Sequence, residues 1–401
     1  RDSFDTGGLQ TLMVRQGSWV RSNGGRSLLV VDKIDSNMRR QLDSNCLEYV
    51  ETWDSDKIAA LLKKETLRIS GLVYLMSYEL IDFLKLEKIL FDSGLKGCFK
   101  HILYSVYPGT TRIASQAGGG VGEFVRSFYG KIVQQCLSNR QMLFMDADCR
   151  DAAREMHHLD SELFSNTILP LGMNITERSE VRRIEDIEPR TILTVSRAIF
   201  PFKGYLVGLL HTFAEMVFDY QDLRLKIVSF GPHIDILKNE INSLDDEVKA
   251  KVELIEGASE ESIRTMLQQT WLYIGMGTTV LNAANEAVPS IVVHHHTLDC
   301  KACGFFSDDP LTIGLQWEDG ANEDVSRLIE ACIELDDEAY SSLCAASRAA
   351  LAENYSIDKV MSRLLSCFEG AGDFRLSRRD WAFVKLLDRV RGLRRKMLDL
   401  G

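Results

Sequence analysis

Two cations and a glycine follow one hydrophobic strand of this chain. The stretch TILTVSRAIFPFKGYL, residues 191–206, passes from a short apolar run into a loop carrying Arg197, Lys203 and Gly204, with Pro201 stiffening the turn. Arginine offers fork-shaped hydrogen bonds to an oxyanion and lysine a point charge, so the pair can neutralise a diphosphate. Cations in surface loops are common, and alone the pair argues only weakly for phosphate. A second stretch adds to it. YIGMGTTVLNAANEAVPSIVV, residues 273–293, reads as a strand ending in Gly275, Met276 and Gly277, followed by a helix that Thr278 and Thr279 cap. Glycines let backbone approach a ligand closely, and a helix N-terminus presents N–H groups to an anion. A third stretch, FDTGGLQTL at 4–12, places Gly7 and Gly8 at the start of a helix that runs to about Val20. It has no phosphate signature; the glycine pair either admits a diphosphate or sugar or makes a tight turn.

The elements that position these residues alternate. In the first half, strands are expected at 27–32, 101–107, 141–146 and, short, at 167–174, with helices at 56–64, 79–90, 124–137 and 149–158. In the second half, strands at 191–195, 223–231, 251–257, 271–277 and 289–294 alternate with helices at 206–220, 234–243, 259–270 and 279–287. Strands separated by helices of about 10–15 residues imply parallel sheets covered on both faces. The fold class is therefore α/β: two Rossmann-like domains facing a cleft, in which ligands bind at the carboxyl ends of the strands. The charged stretch ERSEVRRIEDIEPR marks the boundary. The domains run over 1–174 and 187–360, and 361–401 adds C-terminal helices. A Rossmann-like domain needs a strand before its glycine loop; only RDSF precedes it here, so the first strand is expected to be lacking. QAGGGVGEF, 116–124, reads as a loop, either an acceptor-side lid or plain surface.

The 401 residues carry a net charge of −11, which argues against a general nucleic-acid binder. No run of about 18 apolar residues predicts a membrane-spanning helix, and no signal peptide is visible. Nine irregularly spaced cysteines fit a reducing compartment, and a cytoplasmic placement is expected. Cys300 and Cys303 form a lone CxxC just after His294, His295 and His296. These are zinc-type ligands, but no second pair stands nearby, and the plain reading is a strand-end loop with two free thiols. No metal is expected. Residues 375–401 carry a net charge of +6, with Trp381, Val384, Leu387, Val390, Leu393 and Met397 near one helical face. This basic amphipathic helix either braces the first domain or lies on an anionic membrane.

Taken together, the Gly7–Gly8 loop, ILPLGMN, ILTVSRAIFPFKGY, IVSFGP, VELIEGASEESI and GMGTTVLNAANEAVPSIVV resemble, in order, the GT-B glycosyltransferases of family-four type, from about residue 4 to about residue 360. The resemblance implies retaining, metal-independent transfer from a nucleotide-diphosphate sugar, with no other cofactor, to a glycan or lipid-linked acceptor in surface polysaccharide synthesis. The family's diphosphate-neutralising Arg and Lys fall on Arg197 and Lys203, beside Gly204. Its base-binding segment falls on Ile255 to Ser259, and Gly231 lets the nucleotide approach the sheet edge. Two positions depart. The family's pair of glutamates falls on Ile274 and Asn282; Asn282 keeps hydrogen-bonding capacity for a ribose without charge, and Glu286, one turn along, is a weaker substitute in sugar contact. The family's first-domain histidine falls on Tyr107, which can touch a sugar but not shuttle a proton, while His101 reads as structural. A non-catalytic nucleotide-sugar-binding partner of the same fold is the alternative. A nucleotide-sugar epimerase ranks last, since no carboxylate–histidine cluster is visible.

Overall fold

The computed structural model describes residues 8–69, 71–111, 120–176, 182–187, 189–295, 298–314 and 323–386. The chain divides into two compact units. One comprises Arg1–Met145, Cys149–Leu169 and Met361–Gly401; the other comprises Asp146–Asp148 and Pro170–Val360.

The first unit runs α1 (Gly8–Ser22), β1 (Leu28–Val31), α2 (Ser36–Ser44), β2 (Glu48–Glu51), α3 (Ser55–Arg68), β3 (Val73–Ser77), α4 (Leu80–Asp92), β4 (Phe99–Ser105), α5 (Gly120–Ser138), β5 (Met142–Phe144) and α6 (Ala147–His157). Aspartates start two of these helices. The Asp35 carboxylate accepts from the N–H groups of Asn37 and Met38, and Asp54 does the same for Asp56 and Lys57, satisfying donors that a helix start leaves open. All strand pairs are parallel, but they form two sheets, β1–β2 and β3–β4–β5. Sequence patterning misses β2 (EYVE), where two apolar residues stand between glutamates, and β3 (VYLMS). The strand expected at 167–174 is not formed. Ile168 makes an isolated bridge to Phe144 in this unit and Met173 one to Ser356 in the other, because the chain there passes between units.

A polar tie lies in the first core. His101 on β4 places Nδ1 2.9 Å from Glu87 Oε1 of α4, and its Nε2 is 2.8 Å from Ser77 Oγ at the end of β3. With a proton on Nδ1 the ring donates to the carboxylate and accepts from the hydroxyl. Lys96 Nζ stands 3.4 Å from the other carboxylate oxygen. All three members are buried, with Phe83 stacked on the imidazole at 4.3 Å, so the Ser–His–Glu order serves as a structural link between two strands and a helix.

The second unit continues with β6 (Thr191–Arg197), α7 (Tyr205–Met216), β7 (Arg224–Phe230), α8 (Ile234–Asn242), α9 (Asp246–Lys249), β8 (Val252–Glu256), α10 (Glu260–Gln268), β9 (Leu272–Gly275), α11 (Thr278–Asn285), β10 (Ser290–Val293), β11 (Lys301–Phe305), β12 (Glu323–Asp324), α12 (Val325–Ile333), α13 (Asp337–Asn354) and α14 (Ile357–Gly370). Its seven strands form one sheet in the order β12-β11-β10-β9-β6-β7-β8. The parallel strands are apolar on both faces because helices cover both. Leu206, Leu209, Leu210 and Phe213 of α7 have no exposed surface, and every residue of β9 and β10 is buried. β11 runs antiparallel to β10. The sequence predicts a loop here, since KACGF shows neither alternation nor a continuous apolar run.

The last part of α14 belongs to the first unit, as does a helix over residues 378–386. Its Trp381 is buried near Phe91 and Phe374, and Phe383 meets Phe128 edge-on at 4.7 Å. The start of the basic segment therefore packs on the first unit. Leu387, Val390, Leu393 and Met397 lie outside the described residues, as do residues 116–119 of the glycine loop. Among the described residues, no helix is long and apolar enough to cross a membrane.

Candidate functional site

The chain order of the second sheet creates a switch point. From β6 the chain moves outward through β7 to β8, then returns to the other side of β6 with β9 and β10. Connections leaving β6 and β9 therefore diverge to opposite faces and leave a crevice at the carboxyl ends of those two strands, the place where open α/β sheets bind ligands. β6 ends at Arg197, and Lys203 and Gly204 follow it. β9 ends at Gly275, and Met276, Gly277, Thr278 and Thr279 follow it. The two stretches singled out by residue type thus leave neighbouring strands at one edge.

The loop between β6 and α7 is pinned from β7. Ala198 N donates to Phe230 O at 2.7 Å, and His233 N returns a bond to Ala198 O at 3.1 Å. His233 Nδ1 accepts from Phe200 N at 2.8 Å, with the two rings stacked. His233 was not among the expected site residues. Its only sequence signal was its place directly after the IVSFGP strand end. Gly231 holds φ at +125°, and a Cβ there would meet Ala198 O at 3.0 Å, so the close approach of the two loops requires glycine.

On this loop Arg197 has its guanidinium 5.6 Å from the centre of the Phe230 ring, and Lys203 Nζ lies 5.1 Å from the Phe202 ring. Burial, and then the neighbouring Arg197 charge, lower the Lys203 pKa to about 7. A half-buried ammonium held beside a guanidinium disfavours its own charge, and an anion placed between them removes that penalty. Gly204 precedes α7 in a helical conformation and is buried, which sets the lysine at the foot of that helix.

The facing loop differs from expectation in one detail. Thr278 and Thr279 do not cap α11; Gly277 does, at φ 72° and ψ −151°. That conformation suits only glycine, and with no side chain at the cap the first N–H groups of the helix keep no side-chain acceptor there. Thr279 instead braces the loop. Its Oγ1 donates to Met276 O at 3.1 Å and accepts from Tyr273 OH at 2.6 Å. Tyr273 was unforeseen because a buried tyrosine in a strand reads as core. Met276 turns its side chain into the core, so only its backbone is at the edge. Asn282 is half-buried one turn into α11. The buried Glu286 carboxylate accepts from Arg264 Nε at 2.8 Å and from Gln268 Nε2 at 3.3 Å, which ties α11 to α10. Ile255 of β8, half-buried, pairs with Val228 of β7.

Of the expected residues in the first unit, Gly8 opens α1 and Gly7 lies outside the described residues. Tyr107 is 54% exposed just beyond β4, where its carbonyl accepts from Ser105 Oγ. Cys300 precedes β11 and Cys303 lies on it; burial pushes the Cys303 thiol up to about 12. Among the described residues no three His, Cys, Asp or Glu side chains group to hold a metal ion.

The sequence matches no family model and no curated protein. Solved structures do match. A glycosyltransferase from Rickettsia africae ESF-5 is 13% identical with a TM-score of 0.62, over 91% of this chain and 95% of its own. The apo structure of OtsA is 11% identical with a TM-score of 0.56, over 90% and 96%. A UDP-forming α,α-trehalose-phosphate synthase from Burkholderia xenovorans is 12% identical with a TM-score of 0.50, over 89% and 82%. With its parallel sheets, its helix layers and a likeness that runs nearly the full length of these proteins, the chain has the GT-B fold of glycosyltransferases.

Proposed function

We propose that the second unit binds a nucleotide-diphosphate sugar and that the chain is a retaining, metal-independent glycosyltransferase. The observation that carries this reading is the convergence of two cations after β6 with a glycine-capped helix start after β9 at one switch point. Transfer frees a nucleoside diphosphate, so negative charge grows on the leaving group. Arg197 and Lys203 stabilise that charge, and the N–H groups at the start of α11 face its other side. Gly231 and Ile255 border the nucleotide, and Asn282 bonds to ribose hydroxyls. The acceptor is a glycan or lipid-linked sugar of surface polysaccharide synthesis. One of the similar solved proteins is named a glycosyltransferase, and another is named a UDP-forming synthase.

Calorimetry with UDP, GDP, ADP and their sugars tests the reading. One nucleotide is expected to bind, and Arg197→Ala and Lys203→Ala each to weaken it by about 2 kcal/mol or more, the scale of a lost charge-assisted bond. Binding that neither substitution changes would refute the site. Asn282 and Tyr107, at positions where the resembling family carries a carboxylate and an imidazole, favour a second reading, a non-catalytic nucleotide-sugar-binding partner. Donor binding without transfer or hydrolysis under any acceptor would select it.

A further inference from the structure

The ring of His233 reaches the candidate site from the end of β7, and the loop contacts use only one of its two nitrogens. Nδ1 accepts from Phe200 N at 2.8 Å. A backbone amide can only donate, so Nδ1 carries the lone pair and the proton of the neutral imidazole sits on Nε2. Nε2 is therefore a donor; it finds no partner among the described residues and keeps access to solvent. The ring does not serve its own helix either. His233 stands at the N-cap of α8 and makes no side-chain bond to it.

Two further contacts fix where that donor stands. His233 N donates to Ala198 O at 3.1 Å, and the imidazole stacks on the Phe200 ring with centroids 6.0 Å apart and planes 13° from parallel. Ala198 and Phe200 both lie in the loop that begins at Arg197 and ends at Lys203. β6 and β7 finish side by side, with Arg197 paired to Phe230. The imidazole thus sits at the carboxyl edge, one strand nearer to the two cations than the segment after β8. A neutral donor suits this place. Arg197 already disfavours the charge on Lys203, so a third cation would add repulsion to the unliganded site. Protonating the ring would also turn an Nδ1–H against the Phe200 N–H, so the contact itself holds the imidazole neutral.

We propose that His233 is a third phosphate-binding group of this site, donating Nε2–H to a phosphate oxygen of the bound nucleoside diphosphate beside Arg197 and Lys203. The inference rests on the donor reading and adds to it a residue that neither motif contains. One ring then does two things on opposite edges. Nδ1 holds Phe200, and with it the loop that carries Lys203, while Nε2 meets the ligand. Because a backbone amide sets the tautomer, the donor is in place before the ligand arrives and no proton has to move at this ring on binding. A hydrogen bond to a charged oxygen is of the stronger kind, so its loss is measurable.

The test follows the imidazole by NMR in the whole chain with isotope-labelled histidine, the His233 signals being assigned by their loss in His233→Asn. UDP, GDP and ADP are added in turn, with uridine, guanosine and adenosine as controls that lack phosphate. The free protein is expected to show the Nε2–H tautomer at His233. The diphosphate that binds is expected to move the Nε2–H proton downfield and to slow its exchange by about tenfold or more, and the matching nucleoside to leave it unchanged. His233→Asn keeps an acceptor near the Nδ1 position for Phe200 N–H and removes the distal donor. It is expected to weaken nucleotide binding about tenfold in calorimetry, with exchange at the Phe200 amide unchanged. If that amide does exchange faster in the variant, the Nε2–H response of the unsubstituted chain decides alone. Nucleotide binding that leaves Nε2–H unmoved, or an equal response to the nucleoside, would overturn this inference and leave the donor site standing. No binding by any of the three nucleotides would refute the donor reading itself, and this inference with it.

Discussion

The two units are assembled from similar strand–helix units and differ in how completely their sheets are paired. In the second, seven strands share one sheet and its central strands are buried on both faces. In the first, the strands fall into two sheets, and β3 keeps an exposed residue in its middle. The difference teaches what a continuous ladder contributes. Where β9, β6, β7 and β8 pair side by side, their carboxyl ends are fixed against one another, and short loops can bring Arg197, Lys203 and the Gly277 cap to one edge. Where the ladder is interrupted, between β1 and β3, side-chain clusters join the strands, and within the smaller sheet the Ser77–His101–Glu87 tie adds to the β3–β4 ladder.

The largest test of that contrast removes the tie. His101→Ala is expected to cost about 3 kcal/mol, because it strips one oxygen of a buried carboxylate of its hydrogen bond and leaves the buried Ser77 hydroxyl without its imidazole partner. Chemical denaturation would show the loss, and nucleotide binding by the second unit would be unchanged. A loss below about 0.5 kcal/mol would mean that the β3–β4 ladder and packing hold the two strands without the tie. A smaller effect comes from the second unit. Gly231→Ala forces a side chain into a positive-φ position against Ala198 O and is expected to cost about 2 kcal/mol. It should also weaken nucleotide binding by displacing the loop that carries Lys203. Unchanged affinity in this variant would separate that loop from the site.

The smallest effect is a pH dependence. The folded Lys203 pKa of about 7 lies below the ordinary 10.5. Between those values the unfolded chain holds a proton that the folded chain lacks, so this group's contribution to stability rises with pH from about 7 to about 10.5. A bound diphosphate favours the ammonium and restores the proton. Binding at pH 8 should therefore take up close to one proton, and affinity should fall by no more than about tenfold per pH unit above 7. Calorimetry in two buffers of different ionisation enthalpy measures the uptake. Lys203→Arg, which stays charged, should abolish it; uptake that persists would assign the proton to another group.

Much of the second unit was legible because its strands are continuous apolar runs punctuated by glycine, and because its helices carry a clear period. The antiparallel β11 was not, since it takes its place from the edge of β10 rather than from a pattern of its own. In the first unit β2 was hidden because only two apolar residues stand between its glutamates, and β3 was missed as well. At the site, residue type identified the groups but not their partners. Residue type marked Glu286 as a polar group of α11, and only the packing of α10 against α11 shows Arg264 as its partner. Thr278 and Thr279 have the chemistry of caps, yet the backbone at Gly277 takes that place.

By itself the sequence determined the alternation of elements, the two cations after one strand, the glycines after another and the basic end of the chain, because these follow from local propensity and composition. The tertiary structure alone decided which strands are neighbours. Pairing is a contact between residues far apart in the chain, and it is pairing that sets β9 beside β6 and divides the strands of the first unit between two sheets.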